Sequence, residues 1–332
     1  MNYNNKIILI IGGTGTIGQA LVRKLLKHNP KVIRIYSRDE YKQFIMQDEF
    51  IEHKNLRFLL GDVRDKERLN RAMKGVDIVF DLAAIKHVPA AEYNPFEAVK
   101  TNVIGTQNVI ECAIENRVER VIFTSSDKAV SPTNTMGATK LLAERLIASA
   151  DYYKGGDRPI FAGVRFGNVI GSRGSVIPLW IKQIKEKREI TITHPDMTRF
   201  MMTIDQASSL VLKACEFANG GEIFILKMPV IKLGDLADEV IEEVCYKYNI
   251  NKAEIKKKVV GLRPGEKMYE ELMSCKEINE SIEYEDMFAI IPVHKLEILN
   301  EYQNRPHKNS YSSNDELPLN REEIKNIIRD II

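Results

Sequence analysis

Short apolar runs rich in Ile and Val recur along the first half of the chain, at residues 7–11, 32–36, 56–60, 78–82, 121–124 and 160–166, with longer amphipathic stretches between them. Runs without polar alternation predict strands buried on both faces, as in a parallel sheet covered by helices on each side. The pattern therefore predicts an α/β fold built on a doubly wound parallel sheet, with helices over 19–27, 40–50, 66–73, 137–150 and 204–218. After Phe166 the pattern loosens at Gly171, Gly174 and Pro178, and from Lys227 onward helical and irregular polar stretches mix. The expected division assigns 1–166 plus about 199–227 to the sheet domain, and about 167–198 and 228–332 to a smaller mixed α/β region. Residues 304–319 are polar enough for a long loop or arm.

Directly after the first run comes Gly12-Gly13-Thr14-Gly15-Thr16-Ile17-Gly18, opening into an amphipathic helix. Glycines at 12, 15 and 18 permit a tight turn, close approach to a pyrophosphate and close helix packing, and the helix N-terminus supplies free N–H groups. In that strand–turn–helix setting the motif points to a dinucleotide and a Rossmann sheet. The second run ends at Ser37-Arg38-Asp39, with Lys42 a turn later. A hydroxyl and a guanidinium suit a ribose 2′-phosphate and favour NADP, whereas Asp39 keeps NAD open and both charges are also consistent with a plain helix start. Asp62-Val63 follows the third run, and Ala83 and Lys86 follow the fourth, at the carboxyl edge where such sheets bind ligands. Asp62 suits adenine recognition and helix capping equally.

Composition narrows the function classes. Hydrophobic residues at 44% and charged residues at 28% describe an ordinary globular chain of 332 residues. Lys and Arg number 48 against 46 Asp and Glu, so no net field recommends a nucleic acid or an anionic membrane as partner. The four cysteines show no CxxC pair, which predicts neither a metal site nor a disulfide framework. No run approaches the roughly 18 apolar residues of a membrane span, and a strand begins too early for a signal peptide, so a cytoplasmic protein is expected.

The glycine motif, Ser126-Asp127-Lys128 after the fifth run, and Met136-Gly137-Ala138-Thr139-Lys140 together resemble the extended short-chain dehydrogenase/reductase family. Within it the chain is similar to the UDP-N-acetylglucosamine 4,6-dehydratases of bacterial polysaccharide and pseudaminic acid pathways. The similarity extends through Tyr36-Ser37-Arg38-Asp39-Glu40, Lys86-His87-Val88-Pro89, Glu92-Tyr93-Asn94-Pro95, residues 165–176, Met197-Thr198-Arg199-Phe200 and Arg263-Pro264-Gly265-Glu266-Lys267. These enzymes oxidise the sugar C4 hydroxyl by hydride transfer to the nicotinamide, remove the acidified C5 proton, expel the C6 hydroxyl and return hydride to C6.

By resemblance Lys128 is the C5 base, Asp127 the acid at the C6 oxygen, and Ser126 holds the sugar near C4. Partial burial beside a cationic nicotinamide is expected to ease proton loss from Lys128. Lys140 is expected on the nicotinamide ribose, with Asn102 in the cofactor set. Lys86, Asn168, Arg173, Val176, Thr193, Arg199, Arg263 and Glu266 fall where the family contacts the sugar nucleotide. One departure stands out: the family's Tyr-x-x-x-Lys pair reads Met136 and Lys140 here, and a thioether has no proton to transfer. It marks a methionine-bearing subgroup. Structural alternatives remain at this level: Asp127 and Lys128 as a surface ion pair, and Lys140 as a solvated partner of Glu144. So do functional ones: hydride return to C4 giving a 5,6-ene sugar, a 4-epimerase, or a non-enzymatic NADP sensor. Relatives pair through helices at 95–117 and 137–150, which implies a homodimer or a higher homo-oligomer.

Overall fold

The computed structural model describes residues 2–263, 265–301, 304–306, 308–329 and 331–332. The six apolar runs form β1 (Ile7–Ile11), β2 (Val32–Ser37), β3 (Leu56–Leu60), β4 (Ile78–Asp81), β5 (Arg120–Ser126) and β6 (Ile160–Phe166). They are followed by β7 (Asn168–Val169), β8 (Glu189–Ile192), β9 (Thr198–Met202), β10 (Ile223–Leu226), β11 (Val230–Lys232), β12 (Lys256–Val259), β13 (Glu271–Met273), β14 (Ser281–Glu283), β15 (Met287–Ile290) and β16 (Tyr311–Ser312). The main sheet has nine strands in the order β14-β15-β10-β6-β5-β4-β1-β2-β3. β1 pairs in parallel with both β2 and β4, so the strand order reverses there and leaves a crevice at their carboxyl ends.

Two apolar clusters cover the faces of this sheet. One gathers Ile8, Ile10 and Ile33 against Leu21, Val22, Leu210 and Val211 from helices Thr16–Leu26 and Ile204–Phe217. The other sets Leu9, Val79 and Val121 against Val109, Ile110 and Ile147 from helices Gly105–Glu115 and Thr135–Tyr153. Full burial of each large side chain is worth roughly 1.5–3 kcal/mol, enough for the faces to hold both helical layers. A third cluster, around Trp180, Leu236, Val240, Ile324 and Ile328, is the core of the smaller region.

The strands depart from the expected division at two places. β14 and β15 extend the main sheet, β15 running antiparallel to β10, so residues 281–290 pack with the Rossmann layer and not with the smaller region. β9 instead pairs with β11 and β7 in a separate three-stranded sheet. The polar stretch at 304–319 contains only the short β16 among its described residues, and β16 pairs with β13.

Candidate active site

The glycine-rich turn sits at the β1 end of the crevice. Gly12 adopts φ +76 and its N–H donates to the Tyr36 carbonyl at 2.8 Å. A Cβ on Gly18 would lie 2.5 Å from the Gly13 carbonyl oxygen, so only glycine lets the helix start this close to the turn. Helix Thr16–Leu26 begins with no side-chain cap at Gly15 and no acid in its first turn. Its free N–H groups and the bare backbone at 12–18 fit a dinucleotide pyrophosphate. Ile17 points into the core beneath.

At the end of β2, the Thr14 and Ser37 hydroxyls lie 2.9 Å apart. Asp39 is occupied locally. It caps helix Glu40–Glu49 by accepting from Lys42 N at 3.0 Å, and it pairs with the Lys42 ammonium, which holds its carboxyl below the usual range. Arg38 is mostly exposed, 3.7 Å from Asp62. Helix Lys66–Met73 is capped by Asp65, not by Asp62. The Asp62 carboxylate accepts from Arg64 N at 3.0 Å and from the Arg64 guanidinium at 2.7 Å. The Val63 carbonyl accepts from Asn108 at 3.0 Å.

Past β4 the chain is held open by Asn102. This fully buried side chain accepts from Ile85 N at 2.8 Å and donates to the Ile85 carbonyl at 3.1 Å and to Thr139 Oγ1 at 3.0 Å. Its polar atoms are spent on the loop after Ala83 and on Thr139 of helix Thr135–Tyr153. It stands in a π-helical turn, Val99–Ile104. Lys86 Nζ donates to the Arg173 carbonyl at 3.0 Å. The Arg173 guanidinium in turn donates to the Thr14 carbonyl at 2.6 Å, on the dinucleotide turn.

The chemical centre lies at the carboxyl end of β5. Ser126 donates to Asp127 Oδ1 at 2.5 Å, and Lys128 Nζ lies 3.1 Å from both Asp127 oxygens. The Asp127 side chain is only 1% exposed, which removes the surface ion-pair alternative. A residue that motif reading passed over completes the group: Glu270, whose Oε1 is 3.3 Å from Lys128 Nζ and 3.1 Å from Arg199 Nε. Burial pushes the Glu270 carboxyl up to about 7, with help from Asp127 and against Lys128 and Arg199. Burial also acts to raise Asp127, but Lys128 and the hydrogen bonds from Glu270 and Ser126 outweigh it and hold it at about 2. For Lys128, burial favours the neutral amine and the two carboxylates overcome it, so the ammonium is stabilised. Among the protein's own groups the balance therefore favours the charged lysine.

Met136 is buried in a small apolar group with Ala91, Ala98, Ile85 and Val88. Lys140 is buried one turn further along the same helix, donating to the Thr124 carbonyl at 2.8 Å and lying 4.5 Å from the Phe123 ring centroid. Burial brings its ammonium down to about 8, against the pull of Asp81 and Glu144. Lys140 and Glu144 are not a solvated pair: Glu144 is buried and binds Arg165 at 3.0 and 2.6 Å.

The sugar-side positions separate into two groups. Asn168 donates to Glu270 Oε2 at 2.8 Å and Arg199 binds Glu270, so both belong to the centre. Arg199 also donates to the Thr198 and Lys267 carbonyls at 2.7 and 2.9 Å, which makes it a clamp on its neighbours as much as a free cation. Among the described residues, no hydrogen bond or ion pair links Val176, Thr193 or Arg263 to Lys128. Val176 opens helix Val176–Lys187, the Thr193 carbonyl accepts from Gly261 N at 3.1 Å, and Arg263 is exposed. Glu266 accepts from Arg263 N at 3.1 Å, and Pro264 between them lies outside the described residues. Lys267 docks this segment by donating to the Ser131 carbonyl at 2.7 Å. Glu270 lies three residues beyond Lys267, and its proximity to that motif was the only sequence signal for it.

Comparison with known proteins places this arrangement. An inverting UDP-N-acetylglucosamine 4,6-dehydratase of Campylobacter jejuni is 44% identical over 292 residues, covering 87% of this chain and 84% of its own. A UDP-glucose 4-epimerase of Rickettsia rickettsii is 42% identical over 87% of this chain and 83% of its own. An uncharacterized membrane protein of Methanocaldococcus jannaschii is 53% identical over 99% of this chain and 97% of its own. No helix among the described residues here is long and apolar enough to cross a membrane. The X-ray structure of Pen from Bacillus thuringiensis superposes with a TM-score of 0.94 at 50% identity, covering 100% of this chain and 99% of that one. A dTDP-glucose 4,6-dehydratase from Streptomyces venezuelae shares the fold alone, with a TM-score of 0.71 at 21% identity over 79% of this chain and 86% of its own. The polysaccharide biosynthesis protein model matches residues 8–292, and the chain belongs to that family, among the nucleotide-sugar dehydratases and epimerases of the extended short-chain dehydrogenase/reductase fold.

Proposed function

We propose that this chain is an NADP-dependent 4,6-dehydratase acting on a UDP-linked N-acetylhexosamine, with UDP-N-acetylglucosamine as substrate. The observation that carries the reading is the pairing of buried Asp127 with half-buried Lys128 at the end of β5, with Met136 nearby among apolar side chains. An elimination across C5 and C6 requires a base and an acid, whereas a 4-epimerase requires neither at those carbons. Bound nicotinamide supplies reversible oxidation at the sugar C4. Lys128 takes the C5 proton, Asp127 protonates the departing C6 oxygen, and Ser126 orients the C4 end. Gly12, Gly15, Gly18 and the backbone at Thr14–Ile17 would hold the dinucleotide, with Lys140 for its ribose, Asp62 and Val63 for adenine and Ser37 and Arg38 for the 2′-phosphate. With Asp39 occupied by its helix and Lys42, the cations at this edge favour NADP over NAD.

The product of this reading is a 4-keto-6-deoxy sugar feeding bacterial glycan or nonulosonic acid synthesis in the cytoplasm. A second reading is a 5,6-ene sugar with its C4 hydroxyl restored; that route needs a proton at the C4 oxygen, which Met136 does not carry, so hydride return to C6 is the preferred reading. A homodimer or larger homo-oligomer belongs to the proposal; exposed Tyr93, Phe96 and Leu142 on the helices around 88–153 suit such a surface. Incubation with UDP-N-acetylglucosamine and NADP should give a sugar nucleotide lighter by one water. A product of unchanged mass with altered C4 configuration would replace the dehydratase reading with an epimerase.

A further inference from the structure

Elimination carries a proton inventory. The C5 proton passes to Lys128 Nζ, its bonding pair forms the C5–C6 double bond, the C6–O bond breaks, and Asp127 protonates the oxygen that leaves as water. The step ends with an ammonium at Lys128 and a carboxylate at Asp127, the charge state the surroundings already favour. Across the whole cycle the proton released from the C4 hydroxyl on oxidation balances the one that C5 takes when hydride returns to C6, so restoring the starting assignment needs one net transfer from Nζ to an Asp127 oxygen, 3.1 Å away.

Glu270 stands on the other side of that ammonium, 3.3 Å from Nζ. It cannot readily swing away. Its Oε2 accepts from Asn168 at 2.8 Å, its Oε1 meets Arg199 at 3.1 Å, and its backbone exchanges hydrogen bonds with Ser313 at 2.9 and 2.8 Å. The charged groups facing it are Asp127 and Lys128 after β5 and Arg199 on β9, and Arg199 divides its donors among three backbone carbonyls. An ionised Glu270 opposes transfer of the Lys128 proton to Asp127, and a protonated one does not.

We propose that Glu270 is a positioning residue whose own proton sets the charge of Lys128: neutral, it frees the amine to work at C5; ionised, it holds the ammonium. The catalytic half of this statement rests on Lys128 being the C5 base. Burial places the Glu270 transition near neutral pH, at about 7.

Reductive methylation, which reads the neutral fraction of each amine, tests the coupling without relying on turnover. Labelling of Lys128 is followed by peptide mass spectrometry from about pH 6 to 9, with exposed Lys256 as internal control; above about pH 8, where Glu270 is ionised, it should be about tenfold faster in Glu270→Gln than in wild type, and the two should converge toward pH 6. Glu270→Asp, which keeps the carboxylate, should remain near wild type. In the wild type itself the logarithm of the Lys128 rate should climb less steeply with pH than that of Lys256 as Glu270 ionises. Equal Lys128 rates in wild type and Glu270→Gln above about pH 8, or parallel slopes for the two lysines in the wild type, would overturn the proposal. Product assays on the same samples separate the two layers: a labelling shift without any water loss from substrate removes the C5 role and the dehydratase reading, and leaves the coupling.

Discussion

Two carboxylates and one ammonium meet at Lys128, and its replacement tests the chemistry there most sharply. Lys128→Ala should lower product formation by roughly 10²–10⁴-fold while dinucleotide affinity stays unchanged, as measured by turnover and cofactor titration on one preparation. Met136→Leu keeps the volume and the inability to move a proton, so it should retain most activity and lose less than about 1.5 kcal/mol of stability. A folded, cofactor-loaded but inactive Met136→Leu enzyme would show that the sulfur itself matters. Asp127, Lys128 and Met136 were legible in the sequence because each is adjacent to, or within, a local motif. Glu270 was not, because its role comes from a long-range approach: it lies 142 residues from Lys128. Arg199 is expected at the sugar nucleotide, and motif reading could not reveal that neighbouring carbonyls already take up much of its guanidinium.

Helix Thr135–Tyr153 carries both Met136 and Lys140, and its position depends on a buried triad. Arg165 on β6 binds Glu144 of this helix at 2.6 Å and Glu277 of the short helix Cys275–Asn279 at 2.9 Å, with its own side chain 1% exposed. Replacing the cation leaves two buried carboxylates uncompensated. Arg165→Met should therefore cost about 3–5 kcal/mol, read as a lower denaturant midpoint, and should weaken cofactor binding as the helix loosens. An unchanged midpoint would contradict this account of the helix. Element positions were the most legible level: β1, β3 and β6 and helix Lys66–Met73 coincide with the runs and periodicity read from the sequence. Of the two roles open to Asp62, the helix cap falls to Asp65, which stands one turn before Arg68 and wins the N-cap geometry.

On the scale of the whole molecule, sequence periodicity could show a parallel sheet but not where β14 and β15 would join it. They reach its edge from more than 50 residues beyond β10, and short antiparallel strands carry little signal of their own partner. The assembled sheet also buries Asp81 at its centre, where burial raises its carboxyl to about 6 against the opposing charge of Lys140. The folded state then holds that proton more tightly than the unfolded chain, so the contribution to stability is present in full below about pH 4 and is lost as pH rises toward 6. Asp81→Asn should flatten that decline in thermal melts taken across the same window; parallel curves for the two proteins would refute it. The fold, the glycine-rich turn and the Asp127–Lys128 pair support one proposal, that water is removed across C5 and C6 of a nucleotide-linked sugar. The proton NMR spectrum of the product from UDP-N-acetylglucosamine tests it directly: a new C6 methyl doublet in place of the hydroxymethyl signals is predicted, a pair of vinylic signals would keep the elimination but reassign the product to the 5,6-ene, and an intact C6 hydroxymethyl group would contradict the account.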